Sequence, residues 1–175
     1  MLKSKIKEVK FKEPADRYSP HDNRASKLIT FVENREYQRA LSLVNQGGLS
    51  PDAHSSGENT VLTDCAKRGD VNGMKFCLNE LGANPYTSCH CPLHQSAFHY
   101  ASMNGHIECL KVLYEHIDCK NNLYADHKNL LTSSGKTPLD VAKNKQTRDF
   151  MLNYKAKSKI ELSQTEHLKL TAPDR

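Results

Sequence analysis

Within six residues, Cys89-His90-Cys91-Pro92-Leu93-His94 gathers two thiols and two imidazoles, the side chains that zinc binds as thiolate sulfur and neutral ring nitrogen in a tetrahedron. A site built on Cys89, Cys91 and His94 would need a fourth ligand from His90 or from a distant residue. Two cysteines separated by one residue also chelate less readily than a Cys-x-x-Cys loop. A labile, redox-sensitive loop is the second reading of the segment, and an ordinary polar loop is the third, which outweighs both; zinc is the only cofactor to weigh. The other cysteines are Cys65, Cys77, Cys109 and Cys119. Reducing conditions would keep thiols free, so no disulfide framework is expected. Catalytic patterns are missing: no Gly-rich phosphate loop, Gly-x-Ser-x-Gly elbow or His-Glu-x-x-His is present. The sequence therefore predicts no enzyme and no catalytic residue.

The elements that must carry these residues repeat. Laying Thr60 over Ser96 puts Leu62 over Phe98, Cys65 over Ala101, Ala66 over Ser102 and Gly69 over Gly105 without a gap. The same phase extends to Thr137-Pro-Leu-Asp-Val-Ala142 and back to Ser26-Lys-Leu-Ile-Thr-Phe-Val32, with anchors 34, 36 and 41 residues apart. Each anchor is a helix-entry signal followed by an apolar stripe, so each unit is expected to open with a short helix. A second stripe follows at helical spacing: Tyr37, Ala40, Leu43 and Val44; Val71, Met74, Cys77 and Leu78; Ile107, Leu110, Leu113 and Tyr114. The last unit is weaker, with Gln146 in the glycine place and Arg148, Met151 and Tyr154 as its stripe, and reads as a cap. In this phase Cys65 and Cys77 fall on packed positions and suit them as small apolar residues. The Cys89 to His94 segment falls in an insertion.

These residues resemble the ankyrin repeats. Gly135-Lys-Thr-Pro-Leu139, His99 with Gly105-His106, and Gly82-Ala-Asn84 carry the likeness, which covers about residues 25–154 in units starting near Ser26, Thr60, Ser96 and Thr137. It implies an all-α fold, a solenoid of helix-turn-helix units with projecting loops, whose usual work is to hold another macromolecule. It also implies that His99 hydrogen-bonds backbone between adjacent units, and that His106 is a helix-start residue. Departures stand at Thr60-Val-Leu-Thr, which lacks Pro and His, at Arg35 in a glycine place, and in extra residues before Ser96 and before Thr137.

Composition fits one module, since 175 residues with 37% apolar content can supply a core for four units. The start, Met-Leu-Lys-Ser-Lys-Ile-Lys, lacks an apolar signal core, and nothing approaches a membrane span. An intracellular setting is expected, in the cytoplasm, on the cytoskeleton or in the nucleus. Residues 1–24 hold seven Lys or Arg against four Asp or Glu, residues 155–175 hold five against three, and residues 25–154 hold thirteen of each, so the net charge of +5 lies in the tails. Solvated ends are the plain reading of these basic extensions; anchoring in a larger complex is the alternative, and nucleic acid is disfavoured as a partner. The insert from Asp118 to Gly135 is long, and Asn122 to Leu131 has the pattern of about two helical turns.

What is left is a surface. The resemblance implies a concave face lined by first helices and loops, and its phase nominates Lys67, Arg68, Ser102, Met103, Asn104, Lys143 and Asn144, with Tyr86 and Thr87 on a projecting finger. Lys67, Arg68, Lys143 and Lys145 bias this face positive, so another protein with an acidic segment is the partner expected. Charge would steer association, while Met103 and Tyr86 would anchor it. This reading predicts that replacing Lys67 and Arg68 together with Glu weakens partner binding without unfolding the chain, measured by titration calorimetry beside a thermal melt.

Overall fold

The computed structural model describes residues 23–119 and 130–154. The basic tails, and most of the proposed insert helix at Asn122 to Leu131, lie outside the described residues. Six helices precede the gap: α1 (Arg24–Glu33), α2 (Tyr37–Asn45), α3 (Val61–Arg68), α4 (Val71–Asn79), α5 (Ala97–Asn104) and α6 (Ile107–Cys119). A further helix, α7, covers residues 145–154. The helices pair as α1/α2, α3/α4 and α5/α6, and successive pairs stack: α3 lies against both α1 and α5, and α4 lies against α6.

An eight-residue helix has too few internal bonds to persist alone, so α3 and α5 depend on capping and burial. Thr60 and Ser96 stand in extended backbone as their N-caps, and Gly69 and Gly105 close them in the left-handed conformation, φ 75° and 74°. Leu62, Cys65, Ala66, Phe98 and Ala101 are buried between the layers, together with Leu28 and Val32 from α1 and Met74, Cys77, Leu110 and Leu113 from the second helices. The positions of Cys65 and Cys77 as small core residues are as the phase requires.

Aromatic rings join the second helices. Tyr37 of α2 stacks on Phe76 of α4 at 4.2 Å, and Tyr114 of α6 stacks on Tyr154 of α7 at 4.6 Å. Phe98 meets the Tyr114 ring edge-on at 5.4 Å, tying the inner layer to the outer. Offset and edge-on pairs of this kind add to what burial alone contributes.

Both end units depart from the expected phase. α1 begins at Arg24, so Ser26 lies inside the helix rather than capping it, and its hydroxyl instead sits 3.2 Å from that of Ser56. In the last unit the expected first helix is only a turn at residues 138–141. Asn144 caps α7, accepting from the Thr147 backbone N–H and hydroxyl at 2.9 Å each, which starts the second helix earlier than the Arg148 stripe implied. With the turn shortened, Gln146 lies inside α7 and not at a left-handed closure. Arg35 does take the glycine conformation its place implies, with φ 62°, and is held by Asp70 at 2.8 Å and by the Tyr37 hydroxyl at 3.1 Å.

Gly69 is required twice over. Its φ is left-handed, and a Cβ there would approach the His106 ring at 2.8 Å, whereas Gly135, at φ 73°, has open space around it. Gly69→Ala should lower stability by roughly 2 kcal/mol, more than Gly135→Ala, which meets backbone strain alone. Urea unfolding of both variants checks this, since equal losses would remove the His106 contact from the account.

Candidate functional site

Three loops project on the side where the inner helices begin, at about residues 50–59, 84–96 and 130–136. They are laced together by polar contacts. Between the first and second, Asp52 Oδ1 accepts from the Asn84 N–H at 2.9 Å, His54 Nε2 lies 2.9 Å from the Ser88 carbonyl, and the His90 N–H donates to the Glu58 carbonyl at 2.9 Å. The His54 and His90 rings stack at 3.5 Å, inclined by only 8°. Between the second and third, the Ser133 N–H donates to the Leu93 carbonyl at 3.0 Å and its hydroxyl to the Pro92 carbonyl at 2.7 Å.

The lacing reaches the helices through the residue three places after each cap. Thr63 Oγ1 accepts from the Thr60 N–H at 2.9 Å, His99 Nδ1 from the Ser96 N–H at 3.2 Å, and Asp140 Oδ2 from the Thr137 N–H at 2.8 Å. Because Nδ1 accepts, the neutral ring carries its proton on Nε2, which donates to the Lys136 carbonyl of the next loop at 3.1 Å. His99 thus bonds backbone between adjacent units, as the resemblance implied. Burial pushes its pKa below the ordinary histidine value, against the opposing pull of the Lys136 and Leu130 carbonyls.

The nominated surface residues divide. Lys67, Met103 and Lys143 are exposed, and they form a row across three units: Asn104 Nδ2 donates to the Lys67 carbonyl at 3.1 Å, and Lys143 Nζ donates to the Asn104 carbonyl at 3.3 Å. Neither lysine pairs with a carboxylate among the described residues. Arg68 does, reaching Glu33 at 2.7 Å and Asp64 at 2.8 Å. Its charge is spent inside the stack, so glutamate there would break two ion pairs and place a third carboxylate between them. The charge test therefore belongs at Lys67 and Lys143, not at Arg68.

Three other nominees are structural. Ser102 is fully buried, and its hydroxyl donates to Met151 Sδ at 2.9 Å. Tyr86 does not project: the Asn84 side chain accepts from its N–H at 3.0 Å, turning the chain so that its ring faces Phe98 at 6.5 Å. Asn144 is the α7 cap. Thr87, half-buried, donates its N–H to the Asn84 carbonyl in the same turn. Lys145 lies elsewhere, in an open cleft of about 990 Å³ lined by Gly69, Gly105, His106 and Phe150 at the turns between paired helices.

Sequence reasoning missed two exposed leucines on adjacent loops, Leu93 and Leu131, 48% and 49% exposed. Leu93 is the one apolar aliphatic residue of the Cys89 to His94 segment, and that is the signal that marks it. Met103, 38% exposed, has its sulfur 3.8 Å from Gln95 Nε2 at the base of the second loop. Cys89 and Cys91, expected as free thiols, form a disulfide within the second loop. In that state neither sulfur is a thiolate available to a metal. Among the described residues, no three His, Cys, Asp or Glu side chains are placed to share an ion.

This geometry, inner helices capped and laced beneath a row of loops, is that of a known repeat. A sequence model described as "Ankyrin repeats (3 copies)" matches residues 28–123 and, in an overlapping placement, 62–161. The chain belongs to the ankyrin-repeat family. The solved ankyrin repeat domain of Bcl-3, described as a unique member of the IkappaB protein family, is similar with a TM-score of 0.58 and 22% identity. That match covers 71% of this chain and 50% of the other, so the chain spans about half the length of that structure, and the likeness is one of fold. No curated protein matches the sequence. Repeats of this family are generally protein-interaction modules, and no enzyme family is indicated. Among the described residues, no helix is long and apolar enough to cross a membrane.

The His99 shift has a pH signature. Its folded pKa lies below the unfolded value of 6.5, so the unfolded chain binds the proton more readily. Its stabilising contribution is complete above that value and is lost as pH falls through it. The urea midpoint should therefore drop more steeply with acidification in the native chain than in His99→Gln; parallel pH profiles would contradict this role.

Proposed function

We propose that the stack is a non-enzymatic adaptor that holds an extended, acidic segment of another protein along the Lys67, Asn104 and Lys143 row, with an apolar side chain of that segment seated at Met103, Leu93 and Leu131. The observation that carries this reading is the contrast between Arg68 and its neighbours. Arg68 is neutralised by Glu33 and Asp64, while Lys67 and Lys143, one unit to either side of Met103, keep their charge toward solvent. An apolar anchor flanked by cations suits a partner with carboxylates on both sides of an apolar residue, the carboxylates setting the encounter rate and the anchor the dissociation rate. The lacing of the loops supports it too, because a surface already held in place loses little entropy on binding.

The test is site-specific photocrosslinking in cells that express the full chain. A benzophenone amino acid at Met103 should capture a protein that the same group at Glu115, exposed on the outer helix α6, does not. Lys67→Glu with Lys143→Glu should reduce that capture, and lower affinity for the purified partner by about tenfold, mostly through slower association. Capture at Glu115 alone, or affinity indifferent to both charge reversals, would refute the placement.

A further inference from the structure

The disulfide in the second loop joins sulfurs in unlike surroundings. Cys89 is fully buried, whereas Cys91 is half-buried beside the exposed Pro92, Leu93 and His94. Cys89 Sγ also faces two donors, the Gln95 backbone N–H at 3.3 Å and the Tyr100 hydroxyl at 3.6 Å. Tyr100, itself buried on α5, reaches Cys91 Sγ only at 3.8 Å. The unbonded thiols Cys65, Cys77 and Cys109 lie in the core. Burial pushes the Cys109 thiol up to about 12, and the hydrogen bond with Cys65, followed by burial, raises Cys77. Thiols buried in the core react poorly, which sets the partly exposed loop pair apart from Cys65, Cys77 and Cys109.

We propose that Cys89–Cys91 is a thiol–disulfide exchange site for small thiols of the glutathione class, attacked at the Cys91 sulfur with Cys89 as the leaving group. The attacking thiolate forms a new sulfur–sulfur bond to Cys91 while the Cys89–Cys91 bond breaks, and the electron pair leaves on Cys89 Sγ. There the Gln95 N–H and the Tyr100 O–H face the developing negative charge, until the opened loop admits the water that protonates the sulfur. A second small thiolate attacks the small-molecule sulfur of the mixed disulfide and releases Cys91 as a thiolate. The products are one small-molecule disulfide and two protein thiols, so two electrons pass to the protein and two protons complete the balance. Reversal of the same steps, with the small-molecule disulfide as oxidant, closes the bond again. Exchange of this kind favours the accessible sulfur as target and the better-stabilised sulfur as leaving group.

The position gives the exchange a structural consequence. His90, the residue enclosed between the two cysteines, is the one that stacks on His54 and donates to Glu58 in the loop before, and Pro92 and Leu93 hold the loop after. Opening the bond frees His90 from a covalent ring at the centre of the laced surface. The Ser88 to Ser96 pairing and the Cys89 N–H bond to the Gln95 carbonyl at 2.8 Å keep the base of the loop closed, so the change is confined to its upper half.

The experiment needs no binding partner. The full-length chain is equilibrated in glutathione buffers of graded ratio, acid-quenched, alkylated and mapped by mass spectrometry, with side-chain NMR of the histidines recorded at both extremes. Alkylation of Cys89 and Cys91 together under reducing conditions, and of neither under oxidising ones, is expected. The His54 and His90 signals should move between the two states while those of His99 stay in place. In single variants treated with glutathione disulfide, Cys91 of Cys89→Ser should form the mixed disulfide at least about tenfold faster than Cys89 of Cys91→Ser, as accessibility requires. Tyr100→Phe should slow reduction of the native disulfide by about tenfold, the effect of losing one hydrogen bond to a charged group. Thiols that stay free in glutathione disulfide, equal rates for the two single variants, or histidine signals indifferent to redox state would each overturn the proposal.

Discussion

An inner helix of eight residues cannot hold itself together, and the rest of this protein follows from how that weakness is met. Each of α3 and α5 has a reciprocal cap at its start and a left-handed glycine at its end, and each is sandwiched between neighbouring units. In the second, third and fourth units the residue three places after the cap is polar and turned back to the cap backbone, yet its identity varies: Thr63, His99, Asp140. The constraint is therefore on geometry and donor–acceptor chemistry rather than on one side chain. Only His99 of the three is seen to continue outward, to the Lys136 carbonyl, and so one imidazole both closes a helix and fixes the loop of the next unit.

The same economy shapes the surface. Several polar groups on the loops hold one loop to the next, through Asp52, His54, His90 and Ser133, while Lys67 and Lys143, with Met103, Leu93 and Leu131, are among the side chains left toward solvent. Charges that look equivalent in the sequence are not equivalent in the stack. Arg68 and Lys67 are adjacent, but the helix turns one toward Glu33 and Asp64 and the other away. Partial burial raises the Asp64 carboxyl above its usual range despite Arg68, while Glu33 at the other end of the network stays exposed.

Periodic features were legible in advance. The second-helix stripes and the core places of Cys65 and Cys77 rest on patterns repeated at a fixed offset, and burial repeats with them, whereas the cross-unit role of His99 came from the family resemblance alone. The two end units of the described residues depart from the phase at their caps. Ser26 is freed from its capping place by Asn23 and an earlier helix start, and the turn at residues 138–141 replaces a helix because Asn144 captures Thr147 first. The surface was the least legible part. Ser102, Tyr86 and Asn144 have the composition of contact residues, and each is consumed by a partner far away or a few places along: Met151, Phe98 and Thr147.

By itself the sequence determined the repeat, its helices and its glycine closures, because those depend on interactions within about ten residues and on an apolar period that survives substitution. Only the tertiary structure decided which cations keep their charge, that Cys89 and Cys91 are joined, and that Leu93 and Leu131 stand on adjacent loops. The first and last of those outcomes depend on contacts between units, and the disulfide on how one loop folds. The roughly 100° between adjacent helical residues separates a lysine with no carboxylate partner among the described residues from an arginine with two. A sequence records spacing along the chain; the stack sets spacing across it.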